Sequence, residues 1–271
     1  MNTVCKDALE YLDELDKNCI DLVLTDPPYI TSRKSGLDEL HKHVSNIDNN
    51  NNLTKTEEEW EQYSKKHTTQ FSDKQKECYL KYGTIYGKKY AVCTNYGNWD
   101  SQFTMEYLEL CVKQYYRVLK NGGTCIIFFD LWKISPLKEI MENAGFKQIR
   151  MIEWIKTNPQ PLNSSVNYLT NCREIALLGV KGSKPTFHSK YDNGIYNLPL
   201  QGGKHRFHPT QKSIKLFEQL IEKHSNENDI VLDTFLGGGT SAIACKSMKR
   251  VCKGCEKDEE YHKKMLNVLN Q

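Results

Sequence analysis

The first residues in this chain with a legible chemistry are Asp26-Pro27-Pro28-Tyr29. They follow Asp21–Thr25 (DLVLT), an apolar run that reads as a strand, so they stand on the loop at its carboxyl end, where open α/β sheets place their sites. Asp26 supplies a hydrogen-bond acceptor. Proline has no N–H and a fixed φ, so the pair stiffens the loop and leaves the Pro27 carbonyl as a second acceptor. Two acceptors gripping the hydrogens of an aromatic amine favour a pyramidal, more nucleophilic nitrogen. The ring of Tyr29 offers a flat face for a base taken out of its stack. Taken alone, the tetrapeptide reads equally well as a rigid turn.

A second constellation runs from Val231 to Thr240: a strand ending in Asp233-Thr234, the turn Phe235-Leu236-Gly237-Gly238-Gly239, and a helix opening with Thr240 and Ser241. Such turns let the backbone approach a ligand, and nicotinamide cofactors, phosphates and S-adenosylmethionine all use them; others are purely structural. About twenty residues on, the next strand ends at Gly254-Cys255-Glu256. Nucleotide-binding folds hold ribose hydroxyls with a carboxylate there, although an acid at a helix start also serves as a solvated cap.

The elements that must position these residues alternate. Continuous apolar runs at Asp21–Thr25, Thr124–Phe129, Gln148–Ile155, Glu174–Val180, Ile230–Leu232 and Arg250–Cys255 read as strands covered on both faces. Helical patterns lie at Gln102–Leu119, Lys133–Ala144, Gln211–His224, Thr240–Met248 and Asp258–Val268, with Asn121-Gly122-Gly123 and Gly145 as helix stops. This alternation predicts an α/β fold, a doubly wound, mostly parallel sheet. Two polar stretches interrupt it, residues 31–100 and residues 157–207. Long connections of this kind are functional or disordered.

The 271 residues carry a formal charge of +3, which permits a nucleic-acid partner without requiring one. The ten cysteines, in a chain opening on a polar stretch, read as reduced thiols of a cytoplasmic protein that is not secreted. Cys252 and Cys255 form one CxxC, but no second pair stands at zinc-ligand spacing, so no metal is expected. No apolar run reaches the roughly 18 residues that a bilayer requires, so no membrane partner is expected either.

With these motifs in place, the chain resembles the β class of S-adenosylmethionine-dependent DNA amino-methyltransferases, in which a DPPY motif precedes an FxGxG motif in circularly permuted order. Asp26–Tyr29 matches the first and Phe235–Gly239 the second. His208-Pro209-Thr210-Gln211-Lys212 matches the family's HPTQK block, and Arg117-Val118-Leu119-Lys120-Asn121-Gly122-Gly123 its RVLKxGG segment. The resemblance covers roughly 200 residues, leaving out most of 31–100 and loosening between Pro161 and Phe207. Thr234 and Ser213 stand where the family usually has proline.

The resemblance implies a seven-stranded Rossmann-like sheet within one catalytic domain spanning residues 1–271. It implies catalysis by Asp26, Pro27, Pro28 and Tyr29. It also implies S-adenosylmethionine held by Asp7, Asp26, Thr210, Lys212, Asp233, Phe235, Gly237, Gly239, Thr240 and Glu256. Duplex DNA is the implied substrate, N6 of adenine the implied acceptor, and a homodimer the implied assembly. Target recognition is expected in residues 157–207, where Lys181, Lys184, Lys190, Tyr191, Lys204, His205 and Arg206 mix cations with aromatics. The 31–100 insertion, with Arg33, Lys34, Lys88 and Lys89, is a second candidate for holding DNA. N4 of cytosine, RNA or a small-molecule amine as acceptor, a nicotinamide-dependent enzyme and a silent partner subunit are the alternatives. Carbon-5 cytosine chemistry is set aside, because no cysteine follows a proline as its nucleophile would.

Overall fold

A computed structural model of the chain describes residues 2–30, 43–49, 54–67, 70–87, 103–159, 171–202 and 211–269. The chain forms two compact units, Met1–Ile30 with Gln102–Gln271, and Thr31–Ser101.

The larger unit is built on one eight-stranded sheet. Its strands are β1 (Asn2–Cys5), β2 (Ile20–Thr25), β3 (Leu119–Phe129), β4 (Lys147–Lys156), β5 (Arg173–Val180), β6 (Ile195–Leu198), β7 (Ile230–Asp233) and β8 (Val251–Glu256). They lie in the order β1-β8-β7-β2-β3-β5-β4-β6. β5 alone runs antiparallel to its neighbours; the other seven share one direction. The apolar runs mark six of these strands, leaving out the two edge strands, β1 and β6, and the resemblance implies seven. β6 is a four-residue edge strand in a polar stretch, too short for its alternation to stand out.

The central strands alternate between two hydrophobic cores, as a sheet covered on both faces requires. Val23, Cys125, Ile127 and Phe129 pack with α1 (Ala8–Asp13), α2 (Met105–Val118) and α3 (Ile134–Ala144). Leu22, Leu24, Ile126 and Phe128 pack with α4 (Ile214–His224), α5 (Thr240–Ser247) and α6 (Glu259–Leu269). At roughly 1.5–3 kcal/mol for each large apolar side chain buried, these two layers hold the sheet between the helices. Cys252 belongs to one core and Cys255 to the other, because residues three apart on a strand face opposite ways. They cannot share one ion.

Asn121-Gly122-Gly123 does not stop a helix. α2 ends at Val118 and the chain enters β3 at once; the triplet forms a bulge in its first turn of pairing, with Gly122 at φ 85. Arg117 fastens this corner, donating to the carbonyls of Leu12 and Leu15 at 2.7 Å each.

β2 and β7 are neighbours whose onward connections part: β2 leads to β3 on one side and β7 leads through α5 to β8 on the other. Such a switch point opens a crevice beyond the carboxyl ends of the two strands. Both motifs are attached there, Asp26–Tyr29 after β2 and Phe235–Gly239 after β7.

The smaller unit contains helical residues 43–49 and two further helices, Glu57–Lys65 and Asp73–Tyr82. Each of the two opens with a capping box, Thr56 with Glu59 and Ser72 with Gln75. Trp60, Tyr63, Phe71 and Tyr79 pack together between them.

Candidate active site

Thr25, the last residue of β2, donates from Oγ1 to Asp233 Oδ1 at 2.7 Å, tying the two strands of the switch point together. Asp233 also accepts from Ser241 Oγ at 2.5 Å and from Phe235 N at 3.0 Å. Its side chain is 3% exposed and fully engaged, so it shapes the glycine turn. The next residue, Thr234, gives its hydroxyl to a 2.5 Å bond with Tyr115 Oη inside the core. That pairing accounts for a threonine in place of the family's proline. Ser213, the other departure, stands at the N-cap position of α4 without a side-chain capping bond, at φ −68, a value proline also adopts.

Gly239 takes a left-handed φ of 74 at the start of α5, and a Cβ there would stand 2.5 Å from Met265 Cγ. Only glycine fits this position. Gly237 donates its N–H to Glu256 Oε2 at 2.7 Å, and Asp258 N donates to Glu256 Oε1 at 2.9 Å. Burial holds the Glu256 carboxyl above its ordinary value against these two bonds. Asp7 stands beside it across the β1–β8 pairing, where Cys5 is opposite Glu256. Asp7 caps α1 through Leu9 N, accepts from Tyr107 Oη at 2.6 Å and pairs with Lys257 at 3.2 Å. Burial raises its pKa, but these partners together bring it below the usual carboxylate value.

The crevice thus has two carboxylates, Asp7 and Glu256, at one edge and a close-approach glycine turn at its floor. Phe235 packs edge-on against Phe103 at 5.5 Å. Thr240 Oγ1 reaches the Lys212 carbonyl at 3.4 Å. Gln211, not singled out as a site residue in the sequence, is buried against Gly238 with both side-chain polar atoms unpartnered. Buried polar atoms without partners are rare and mark places where a polar ligand completes the structure. One carboxylate for ribose hydroxyls and one for the adenine, an open turn and a free amide fit a nucleoside attached to an amino acid, which is the chemistry of S-adenosylmethionine. Thr210, with His208 and Pro209, lies outside the described residues.

On the other side of the crevice, Asp26 begins the loop after β2. Its Oδ2 pairs with Lys212 Nζ at 2.7 Å, and the same ammonium pairs with Glu174 Oε2 at 2.7 Å. Glu174 also binds Lys156 through Oε1 at 2.6 Å. The Lys212 side chain is only 6% exposed, so it bridges two carboxylates almost out of water. Desolvation alone would lower its pKa, but Asp26 and Glu174 raise it well above the ordinary lysine value and keep it charged. Glu174 is held ionised by Lys212 and Lys156 despite its burial. For Asp26, burial outweighs Lys212, and the nearby Glu174 adds to it, lifting the carboxyl from 3.8 to about 6. Asp26 Oδ1 is buried and has no partner.

Tyr29 packs its ring edge-on against Phe129 at 5.9 Å, with Lys212 Nζ 5.0 Å from the ring centre and Glu174 3.4 Å from its hydroxyl. Burial, with Asp26 and Glu174 beside it, pushes its phenol well above the ordinary value, so it stays neutral. Pro27 is buried and Pro28 half-buried.

The structure therefore gathers Asp26 to Tyr29, Lys212 and Glu174 on one side of the crevice. Asp7, Glu256, the glycine turn and Thr240 form the other. Lys212, read from the resemblance as a cofactor residue, makes its side-chain contacts with Asp26 and Glu174. Glu174 was missed in the sequence, where it stands as a lone acid at the start of an apolar strand. Because β5 runs antiparallel, its first residues lie at the carboxyl ends of its neighbours, and that reversal is not written in the local sequence.

The same reversal moves several basic residues away from the site. Lys181 follows the last residue of β5, about 23 Å along the strand from Glu174 at roughly 3.3 Å per residue. Its ammonium is committed to the Leu119 carbonyl at 2.7 Å and to Asn18 at 2.8 Å. Lys184, Lys190 and Tyr191 belong to the same end of the sheet, before β6 begins. Lys204, His205, Arg206, Arg33, Lys34, Lys88 and Lys89 lie outside the described residues.

A switch point with a glycine turn and two carboxylates on one side and a buried, half-paired acid on the other has the chemistry that a nucleoside-cofactor-dependent group transferase requires. The comparisons with known proteins place it further. Residues 20–267 match the family model of the N6/N4 type described as DNA methylase. The Type II methyltransferase M2.LlaDCHI of Lactococcus lactis subsp. cremoris is 30% identical over 199 residues, covering 66% of this chain and 74% of that protein. Among solved structures, the M1.HpyAVI complex with S-adenosylmethionine aligns at a TM-score of 0.62 and 24% identity over 100% of this chain and 99% of the other. The cytosine-N4-specific PvuII DNA methyltransferase aligns at 0.65 and 15% identity, over 97% and 84%. The chain belongs to the DNA methylase family of the N6/N4 amino type, a class whose methyl donor is S-adenosylmethionine. Among the described residues, no helix is long and apolar enough to cross a membrane.

Proposed function

We propose that this protein methylates N6 of adenine within a specific sequence of duplex DNA. The observation that carries this reading is the state of Asp26: Oδ2 is locked to Lys212, and Oδ1 is buried, unpartnered and free to accept a hydrogen from an entering amino group. The target base leaves the duplex, stacks on Tyr29, and is held by Asp26 Oδ1 and the Pro27 carbonyl. S-adenosylmethionine held by Asp7, Glu256 and the Gly237–Gly239 turn would supply a sulfonium methyl group for transfer to the amine nitrogen, the C–S bonding pair staying on sulfur. The proton leaves the nitrogen toward Asp26, whose pKa near 6 suits an acceptor that works ionised at neutral pH and hands the proton on. Asp7, Glu256 and the Gly237–Gly239 turn orient the cofactor in this reading, and Gln211 gives it a polar contact.

An aspartate at the head of the tetrapeptide, rather than a serine, favours adenine. The fold shared with a cytosine-N4-specific enzyme keeps N4 of cytosine as the second reading. Parts of residues 157–207 near the carboxyl ends, together with 31–100, are assigned to target recognition. Action inside the DNA-containing compartment, pairing with a restriction activity and assembly as a homodimer complete the proposal. The test is to incubate purified protein with unmethylated duplex DNA and S-adenosylmethionine and to analyse the digested nucleosides by mass spectrometry. N6-methyladenine that disappears with Asp26→Ala supports the reading; N4-methylcytosine moves it to cytosine; no product on diverse DNA overturns it.

A further inference from the structure

Beside the pocket, β3 ends at Phe129 and the chain makes a single tight turn, Leu131–Lys133, before α3. Asp130 caps this turn by accepting from Trp132 N at 3.1 Å, and Lys133 donates its ammonium to the carbonyl of Ile30, the residue after Tyr29. The turn is thereby fastened to the catalytic loop. Trp132 is nonetheless 86% exposed and Leu131 43% exposed. Among the described residues of the larger unit, they are the exposed large apolar side chains at the carboxyl end of the sheet. Phe187, Tyr191, Ile195 and Val251 stand at the opposite end, Leu110 lies midway along α2 and Met151 midway along β4. An indole held in water by a capped turn, on the rim of a pocket that must receive an extruded base, is placed for contact with the nucleic acid.

We propose that Trp132, supported by Leu131, enters the base stack of the duplex where the target base leaves it, and so holds that base in the Asp26–Tyr29 pocket. The inference rests on the reading of the protein as a base-extruding DNA methyltransferase. Extrusion leaves a gap of one base in the stack, and an aromatic side chain recovers stacking there whatever the neighbouring sequence. Because the turn is already ordered, little conformational freedom is lost on insertion.

The test uses two duplexes carrying the sequence that the enzyme modifies, read from methylated plasmid DNA. One has the target base normally paired; the other has it opposite an abasic position, where extrusion costs less. Wild type, Trp132→Ala and Trp132→Phe are compared by kcat/KM on each. Trp132→Ala should lose about 10- to 100-fold on the paired duplex and no more than about threefold on the abasic one, with Trp132→Phe near wild type on both. Equal loss on the two duplexes, or none on the paired one, overturns the inference. A wild-type protein that methylates no DNA removes the reading beneath it, and is distinguished by failing before any variant is compared.

Discussion

Burial raises the Asp26 pKa and Lys212 holds that rise in check, so replacing Lys212 with methionine should move the pH dependence of the reaction more than its maximum. Lys212 Nζ lies 2.7 Å from Asp26 and from Glu174, and burial already holds Asp26 near 6 rather than 3.8. Removing one partner of a buried pair costs about 3–5 kcal/mol, because the other charge stays desolvated. Taking the lower figure as acting on Asp26, at about 1.4 kcal/mol per pH unit, its pKa rises by about two, to about 8. The working form is the ionised one, so the raised pKa removes activity on the acid side and returns it as pH rises. At pH 7 the ionised fraction falls from roughly 90% to roughly 10%, a loss of about ninefold in kcat/KM that is recovered above about pH 9. The assay is methyl transfer to modified-site DNA at constant ionic strength across the pH range, with wild type and Lys212→Met in parallel. An equal loss at every pH, or a raised KM for S-adenosylmethionine with an unmoved acid limb, would refute the reasoning and give Lys212 to the cofactor instead.

Glu256→Ala removes the acceptor of the Gly237 N–H and the proposed ribose partner together, so calorimetry should show S-adenosylmethionine binding weakened at least about tenfold with DNA binding little changed. Thr234→Pro restores the family's usual residue but orphans the buried Tyr115 hydroxyl; chemical denaturation should report a loss of about 1–3 kcal/mol. Lys181→Met should lower the melting temperature while leaving DNA affinity and its salt dependence unchanged, since this ammonium is spent on carbonyls at the far end of the sheet.

The residues that declared themselves in the sequence are those whose chemistry is local. Asp26–Tyr29 and Phe235–Gly239 each follow an apolar strand, and the position of a loop at a strand's end can be read from the strand. The long helices α2 to α6 likewise followed from periodicity. What stayed hidden depends on direction and distance. β6 has four residues, and α1 has six. Glu174 becomes part of the site only because β5 turns back against its neighbours, and Lys212 meets Asp26 across 186 positions of sequence. The helices at Glu57–Lys65 and Asp73–Tyr82 lie in a polar stretch without an apolar stripe to mark them, and their local signals are the capping boxes Thr56-x-x-Glu59 and Ser72-x-x-Gln75.

The pairing of β1 with β8 has a consequence for how the enzyme comes into being. Asp7 and Glu256 are neighbours in space, yet almost the whole chain separates them, with Asn2 opposite Lys253. Contacts of such long sequence separation form late, since a large loop must close before they repay its entropy. During synthesis the Asp26–Tyr29 loop after β2 emerges early, while the carboxylate pair Asp7 and Glu256 waits for β8. A nascent chain can therefore order the strands around β2 before β1 and β8 pair, and if Asp7 and Glu256 hold the methyl donor as proposed, cofactor affinity becomes a measure of whether that pairing has formed.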